Sequence, residues 1–148
     1  VRTAVNHLKR GGAVLTFPAG RIEPDPACMP GAVESLQDWS QSIALFVRRA
    51  PQTRLVPAVA RGVLDPAYTY HPLTRLRRRQ KDRERMGAAM QLLAQVMLPA
   101  YKPEPVRVTF GRPLLGSDLL QCGDTLAITH TVTEQMRRLL EEQVYEHH

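Results

Sequence analysis

Between Gly11 and Arg21 the chain reads Gly-Gly-Ala-Val-Leu-Thr-Phe-Pro-Ala-Gly-Arg, and no other stretch constrains its fold as tightly. A glycine pair leads into Val14, Leu15 and Phe17, a β-prone apolar run that predicts a short buried strand over residues 13–17. Pro18 has no N–H to give a ladder, so the strand must stop there. Gly20 permits a sharp turn or a close backbone approach to a ligand. Arg21 would then stand where the chain leaves the sheet, the place where open α/β sheets bind their ligands.

The rest of the chain alternates in type. Thr3 to Lys9 reads as the last turns of a helix, with Lys9 and Arg10 near its C-terminus and Gly11 as its stop. Pro18 to Pro30 contains four prolines and no periodicity, which predicts a rigid loop. Residues 32–49 repeat apolar positions at three- and four-residue steps (Val33, Leu36, Trp39, Ile43, Phe46, Val47), and Arg48, Arg49 and Pro51 form a stop signal. This is a helix by pattern, with Trp39 in its core stripe.

Arg54 to Val63 reads as a second strand, with Pro57 at an edge or bend, and a loop follows to Pro72. Arg75 to Leu98 reads as a long helix, charged in its first half and carrying Met86, Met90, Leu93 and Met97 on one face of its second half. Val106 to Phe110 alternates as a third strand, and residues 111–123 read as a loop. Asp124 or Thr125 caps a last helix with the stripe Val132, Met136, Leu139, Leu140 and Val144. The order strand, helix, strand, helix, strand, helix predicts one α/β domain over residues 1–148, a layered and mostly parallel sheet with flanking helices.

Charge and composition narrow the function. Twenty Lys and Arg against fourteen Asp and Glu give +6, which favours anionic partners such as phosphate, lipid head groups or nucleic acid. The charge concentrates in Arg75, Arg77, Arg78, Arg79, Lys81, Arg83 and Arg85. Such a run is either a solvated helix face or a patch held against an anionic membrane surface, where each cation contributes about 1 kcal/mol. No aromatic residues interleave it, which argues against nucleic acid.

No run of about 18 apolar residues is present, and no signal-peptide pattern opens the chain. Cys28 and Cys122 are therefore expected as reduced thiols, and no Cys/His spacing suits zinc. There is neither a Gly-x-Ser-x-Gly elbow nor a Gly-x4-Gly-Lys-Ser/Thr phosphate loop. His71 and His130 have no carboxylate at motif spacing, so surface or structural roles are expected; His147 and His148 are given no role.

Three blocks carry a resemblance. Phe17-Pro18-Ala19-Gly20, after its Gly-Gly and apolar lead-in, resembles the Phe-Pro-Glu-Gly-Thr-Arg block of the glycerolipid (lysophosphatidic-acid-type) acyltransferases. Leu55-Val56-Pro57-Ala58-Val59 is similar to that family's Val-Pro-Val block, and Val106 to Leu114 to its late strand ending in Phe-Gly-Lys-Pro. The three stand in the family's order. Two features depart from it: Ala19 replaces the glutamate, and the arginine falls at 21 rather than at the position of Ile22. The family's catalytic His-x4-Asp precedes the Phe-Pro block, and His7, followed five places on by Gly12, does not supply it.

The resemblance implies an acyltransferase-like domain. It would transfer an acyl chain from acyl-CoA or acyl carrier protein to a glycerol-phosphate or lysophospholipid hydroxyl, with the catalytic His and Asp outside this chain. It implies acceptor binding at Phe17, Pro18, Gly20 and Arg21, no metal or redox cofactor, and a cytoplasmic protein peripheral on the membrane. The alternative on the same scaffold is a non-catalytic module that binds lipid phosphate.

Overall fold

The computed structural model describes residues 1–76, 80–98, 102 and 105–145. In chain order the elements are α1 (Arg2–Lys9), a 3-10 turn (Glu34–Asp38), α2 (Ser42–Arg49), β1 (Arg54–Leu55), β2 (Ala58–Arg61), α3 (Pro66–Thr69), a second 3-10 turn (Pro72–Leu76), α4 (Gln80–Met97), β3 (Arg107–Phe110), β4 (Leu114–Leu115), α5 (Gly116–Gln121) and α6 (Thr125–Tyr145). They form two compact units. One comprises residues 1–24, 31–59 and 109–148, and the other residues 25–30 and 60–108.

The chain is a mixture of helix and small sheets, and the layered parallel sheet expected from the element order is not formed. β1 pairs with β4, antiparallel, placing Arg54 opposite Leu115 and Leu55 opposite Leu114; β2 pairs with β3. The cause is proline and glycine spacing. Pro57 divides the apolar run 54–63 into two short strands, and Gly111 to Pro113 separates β3 from β4. Strands of two to four residues cannot carry a layered sheet. The expected strand at 13–17 is also absent: Leu15 is 81% and Phe17 70% exposed, and no described strand lies beside them to complete a ladder.

The first unit has two apolar clusters. In one, Ile43, Ala44 and Val47 of α2 pack with Leu119 of α5 and with Ile128 and Val132 of α6. In the other, Leu36 and Val59 pack with Met136, Leu139 and Leu140 of α6. The stripe read on the last helix is thus the core; of its members, Val144 has no described side chain. The cap is Asp124, whose Oδ1 accepts the Ala127 N–H at 2.8 Å. α2 enters the same core and ends, as Arg48, Arg49 and Pro51 suggest, at Ala50, which is fully buried. The helix expected over 32–49 is broken, however. Trp39 is extended, with ψ at 128°, so a 3-10 turn precedes α2 instead of joining it.

The residues 111–123 are not a plain loop, since β4 and α5 lie within them. Gly116 donates its N–H to the Thr53 carbonyl at 2.9 Å, and a Cβ there would come within 2.6 Å of the Pro51 carbonyl oxygen. That neighbour is backbone and cannot swing aside. Gly116→Ala is expected to destabilise the chain by about 1–3 kcal/mol, read as a lower urea midpoint with an unchanged m value.

The second unit is built on buried polar groups. Asp65 caps α3 by accepting the Ala67 N–H at 2.8 Å. Gln91 of α4 donates to the Val63 carbonyl at 3.0 Å and accepts the Asp65 N–H at 2.9 Å. Asp25, 6% exposed, takes four backbone N–H groups: those of Ala27 at 2.9 Å, Gly62 at 3.1 Å, Val63 at 2.7 Å and Leu64 at 3.0 Å. Tyr70 donates its hydroxyl to the Cys28 carbonyl.

On α4 the expected apolar face is only partly used. Met86 and Met90 are half-buried and Ala94 is buried, but Leu93 and Met97 are exposed. Packing on α3 and the second 3-10 turn instead uses the face of Gly87, Gln91 and Ala94. No described helix is long and apolar enough to cross a membrane.

Candidate phosphate-binding turn

Residues 17–20 form a turn rather than a strand exit. The Gly20 N–H donates to the Phe17 carbonyl at 3.0 Å, closing a four-residue turn with Pro18 second, where its fixed φ fits. Gly20 has φ +63°, a conformation that L side chains rarely adopt, with open space where a Cβ would lie. The Pro18 carbonyl accepts the Ser40 N–H at 3.0 Å, which anchors the turn to the break before α2.

Two carboxylates organise the residues just after the turn. The Arg21 guanidinium is ion-paired with the Asp38 carboxylate, and both side chains are well exposed to solvent. Glu23 is half-buried; its Oε1 accepts the Trp39 indole N–H at 2.7 Å and lies 3.1 Å from the Ser35 hydroxyl. That hydroxyl is also 2.7 Å from the Ala32 carbonyl. Trp39, expected in the core, packs partly buried on both apolar clusters while its N–H holds Glu23. A half-buried indole usually finds a partner for that N–H, and Glu23 supplies it where the helix is interrupted.

The four residues expected to bind the acceptor are therefore contiguous but differently placed. Phe17 is exposed, Pro18 half-buried, Gly20 at the bend, and Arg21 on the surface against Asp38. Ile22, next in sequence, is exposed as well. The sequence pattern does not mark Glu23 and Asp38 as site residues. Its only signal for them is proximity, with Glu23 two places past Arg21 and Asp38 beside the tryptophan.

An exposed ion pair contributes about 0–1 kcal/mol, so Asp38 is a weak competitor for a guanidinium that can fork two donors onto a phosphate. The other two motif blocks meet each other: the Gly111 N–H donates to the Pro57 carbonyl at 2.8 Å, and β2 pairs with β3.

Among the described residues no group of His, Cys, Asp and Glu could hold a metal ion. The His71 Nδ1 accepts the Leu73 N–H at 3.3 Å, a local turn contact. The thiols of Cys28 and Cys122 are not joined; each donates to a nearby carbonyl, of Leu64 and Asp118. Of the expected membrane-surface residues, Arg75 lies in the second 3-10 turn and Lys81 in α4, whereas Arg77, Arg78 and Arg79 fall outside the described residues. No family model, no curated protein and no solved structure matches the chain.

Proposed function

We propose that the Phe17–Ile22 turn binds the phosphate of a glycerol-phosphate or lysophospholipid acceptor, in an acyltransferase-like protein whose catalytic His and Asp lie outside this chain. The observation that carries the reading is the turn itself: Gly20 bends the backbone so that a surface arginine follows exposed Phe17 and stands beside exposed Ile22. One cation flanked by apolar side chains suits an amphiphile with an anionic head. In the reaction that the motif resemblance implies, a histidine held by an aspartate takes the acceptor hydroxyl proton. The oxygen attacks the thioester carbonyl of acyl-CoA or acyl carrier protein, and the thiol leaves. This chain's part is to hold the acceptor so that its hydroxyl is presented to that base.

The second reading, phosphate binding without catalysis, is favoured by Ala19, which removes the family's motif glutamate. Both readings share the same first test. Arg21→Ala is expected to weaken binding of glycerol-3-phosphate and lysophosphatidate by about 10- to 100-fold, the worth of a charge-assisted hydrogen bond, and to leave a neutral monoacylglycerol unaffected. Asp38→Asn, which frees the guanidinium, is expected to tighten phosphate binding. Equal titration curves for wild type and Arg21→Ala would remove the turn from the site. Acyl transfer from acyl-CoA by the full-length gene product, with Arg21→Ala raising the acceptor KM, separates the enzyme from the binding module.

A further inference from the structure

We infer that the C-terminal half of α4 is a membrane-docking surface that inserts its apolar side chains into an anionic lipid bilayer. Leu92, Leu93, Val96 and Met97 are all exposed, Val96 at 78%, although each is a residue type that normally seeks burial. At 100° per residue they cover one continuous arc of about 140° together with Ala89. The opposite arc, Gly87, Gln91 and Ala94, is buried and holds the helix to its own unit. The exposed arc therefore cannot be satisfied by rotating the helix, because doing so would pull Gln91 off Val63 and Asp65.

Charge selects the occupant. Arg85 is exposed at the head of the same arc, in the series 85, 89, 92, 96, and Arg83 is exposed half a turn earlier. No Asp or Glu occurs in α4 after Glu84, and the chain carries +6 overall. Lys81, Arg83 and Arg85 outnumber Asp82 and Glu84 at the N-terminal end of α4, and a helix with a small cationic excess at one end and an apolar arc free of acids at the other matches an interface whose surface is anionic and whose interior is hydrocarbon. Arg85 can lay its methylenes along the arc and keep its guanidinium among the head groups. A second copy of the chain would set Arg85 near its own kind if the arcs met in parallel, and it would give no role to the excess positive charge. The arc is distinct from the Phe17–Ile22 turn, and the inference does not depend on phosphate binding there.

The test is flotation of the full chain with vesicles of phosphatidylcholine, alone or mixed with phosphatidylglycerol. Wild type is expected to float with the mixed vesicles, less so as salt is raised, and not with phosphatidylcholine alone. Leu92→Gln combined with Val96→Gln is expected to reduce the bound fraction at least about tenfold. Both positions are surface ones, so the far-UV circular dichroism is expected to stay that of wild type. Arg85→Glu, which spares the apolar arc, is expected to weaken binding and remove its dependence on phosphatidylglycerol.

Val96→Trp is expected to show an emission blue-shift with mixed vesicles and quenching by lipids brominated on the acyl chains. Failure of wild type to float overturns the inference. So does flotation unaffected by the double substitution, or a concentration-dependent dimer that the double substitution dissolves in the absence of vesicle binding. Titration of glycerol-3-phosphate on the same variants reads the turn separately, since none of these substitutions touches Arg21.

Discussion

Asp25→Ala will lower the stability of the second unit by about 3–5 kcal/mol, because it removes the acceptor of four backbone N–H groups at once. A buried, unsatisfied donor costs about 1–3 kcal/mol, and water entering the space left by the carboxylate recovers part of the sum. The group also makes most of the described hydrogen bonds between residues 25–30 and residues 60–108, beside those of Cys28 with Leu64 and Tyr70, and its bonds to Gly62, Val63 and Leu64 join segments nearly forty positions apart. Amide hydrogen exchange is the measurement of choice. Protection at Gly62, Val63 and Leu64 should collapse in the variant, while α6 amides around Ile128 and Val132 exchange as before. Asp25→Asn keeps one acceptor oxygen and should fall between the two. Unchanged protection at residues 62–64 would mean that the chain there is held by something other than Asp25.

Ile128→Ala should cost the first unit about 3–4 kcal/mol. Ile128 is fully buried, in one cluster with Ile43, Ala44, Val47, Leu119 and Val132, drawn from three helices. Removing three of its carbons forfeits their transfer from water and leaves a cavity, and three helices anchored elsewhere cannot all close on it. Chemical denaturation followed by the fluorescence of Trp39, the single tryptophan, which packs on this cluster, reports the loss directly. A change below about 1 kcal/mol would mean that α2, α5 and α6 repack freely, contrary to a core of this density.

The same two regions show how far the residues could be read in advance. The stripe Val132, Met136, Leu139 and Leu140 was legible because a helix face repeats every 3.6 residues and needs no knowledge of its neighbours. The Asp124 cap was legible for the same reason, being a bond between residues three apart. Met86, Met90, Leu93 and Met97 follow a helical pattern equally well, yet the helix packs on Gly87, Gln91 and Ala94. A pattern states which side chains share a face, and the neighbour that will cover the face is a separate matter. Asp25 and Gln91 gave no sign, because apart from the Ala27 N–H their partners are backbone groups 26 to 39 positions away that any sequence supplies.

At the candidate site the division is sharper. Pro18 and Gly20 announced a bend, and the bend is there, since proline's φ and glycine's freedom are local properties. The strand before it was inferred from Val14, Leu15 and Phe17, but β-propensity is a preference for a half-buried pleated surface and means nothing without a second strand. That Arg21 would face Asp38, and that Glu23 would hold the Trp39 indole, depended on contacts between segments distant in the chain. The order of residues alone is enough to specify the helix stripes, caps and turns of this protein, because those arise from interactions within a few residues. Which apolar faces are covered, which strands find partners and which carboxylate meets the arginine emerge only when the chain has folded, because each requires a specific neighbour that local chemistry cannot name.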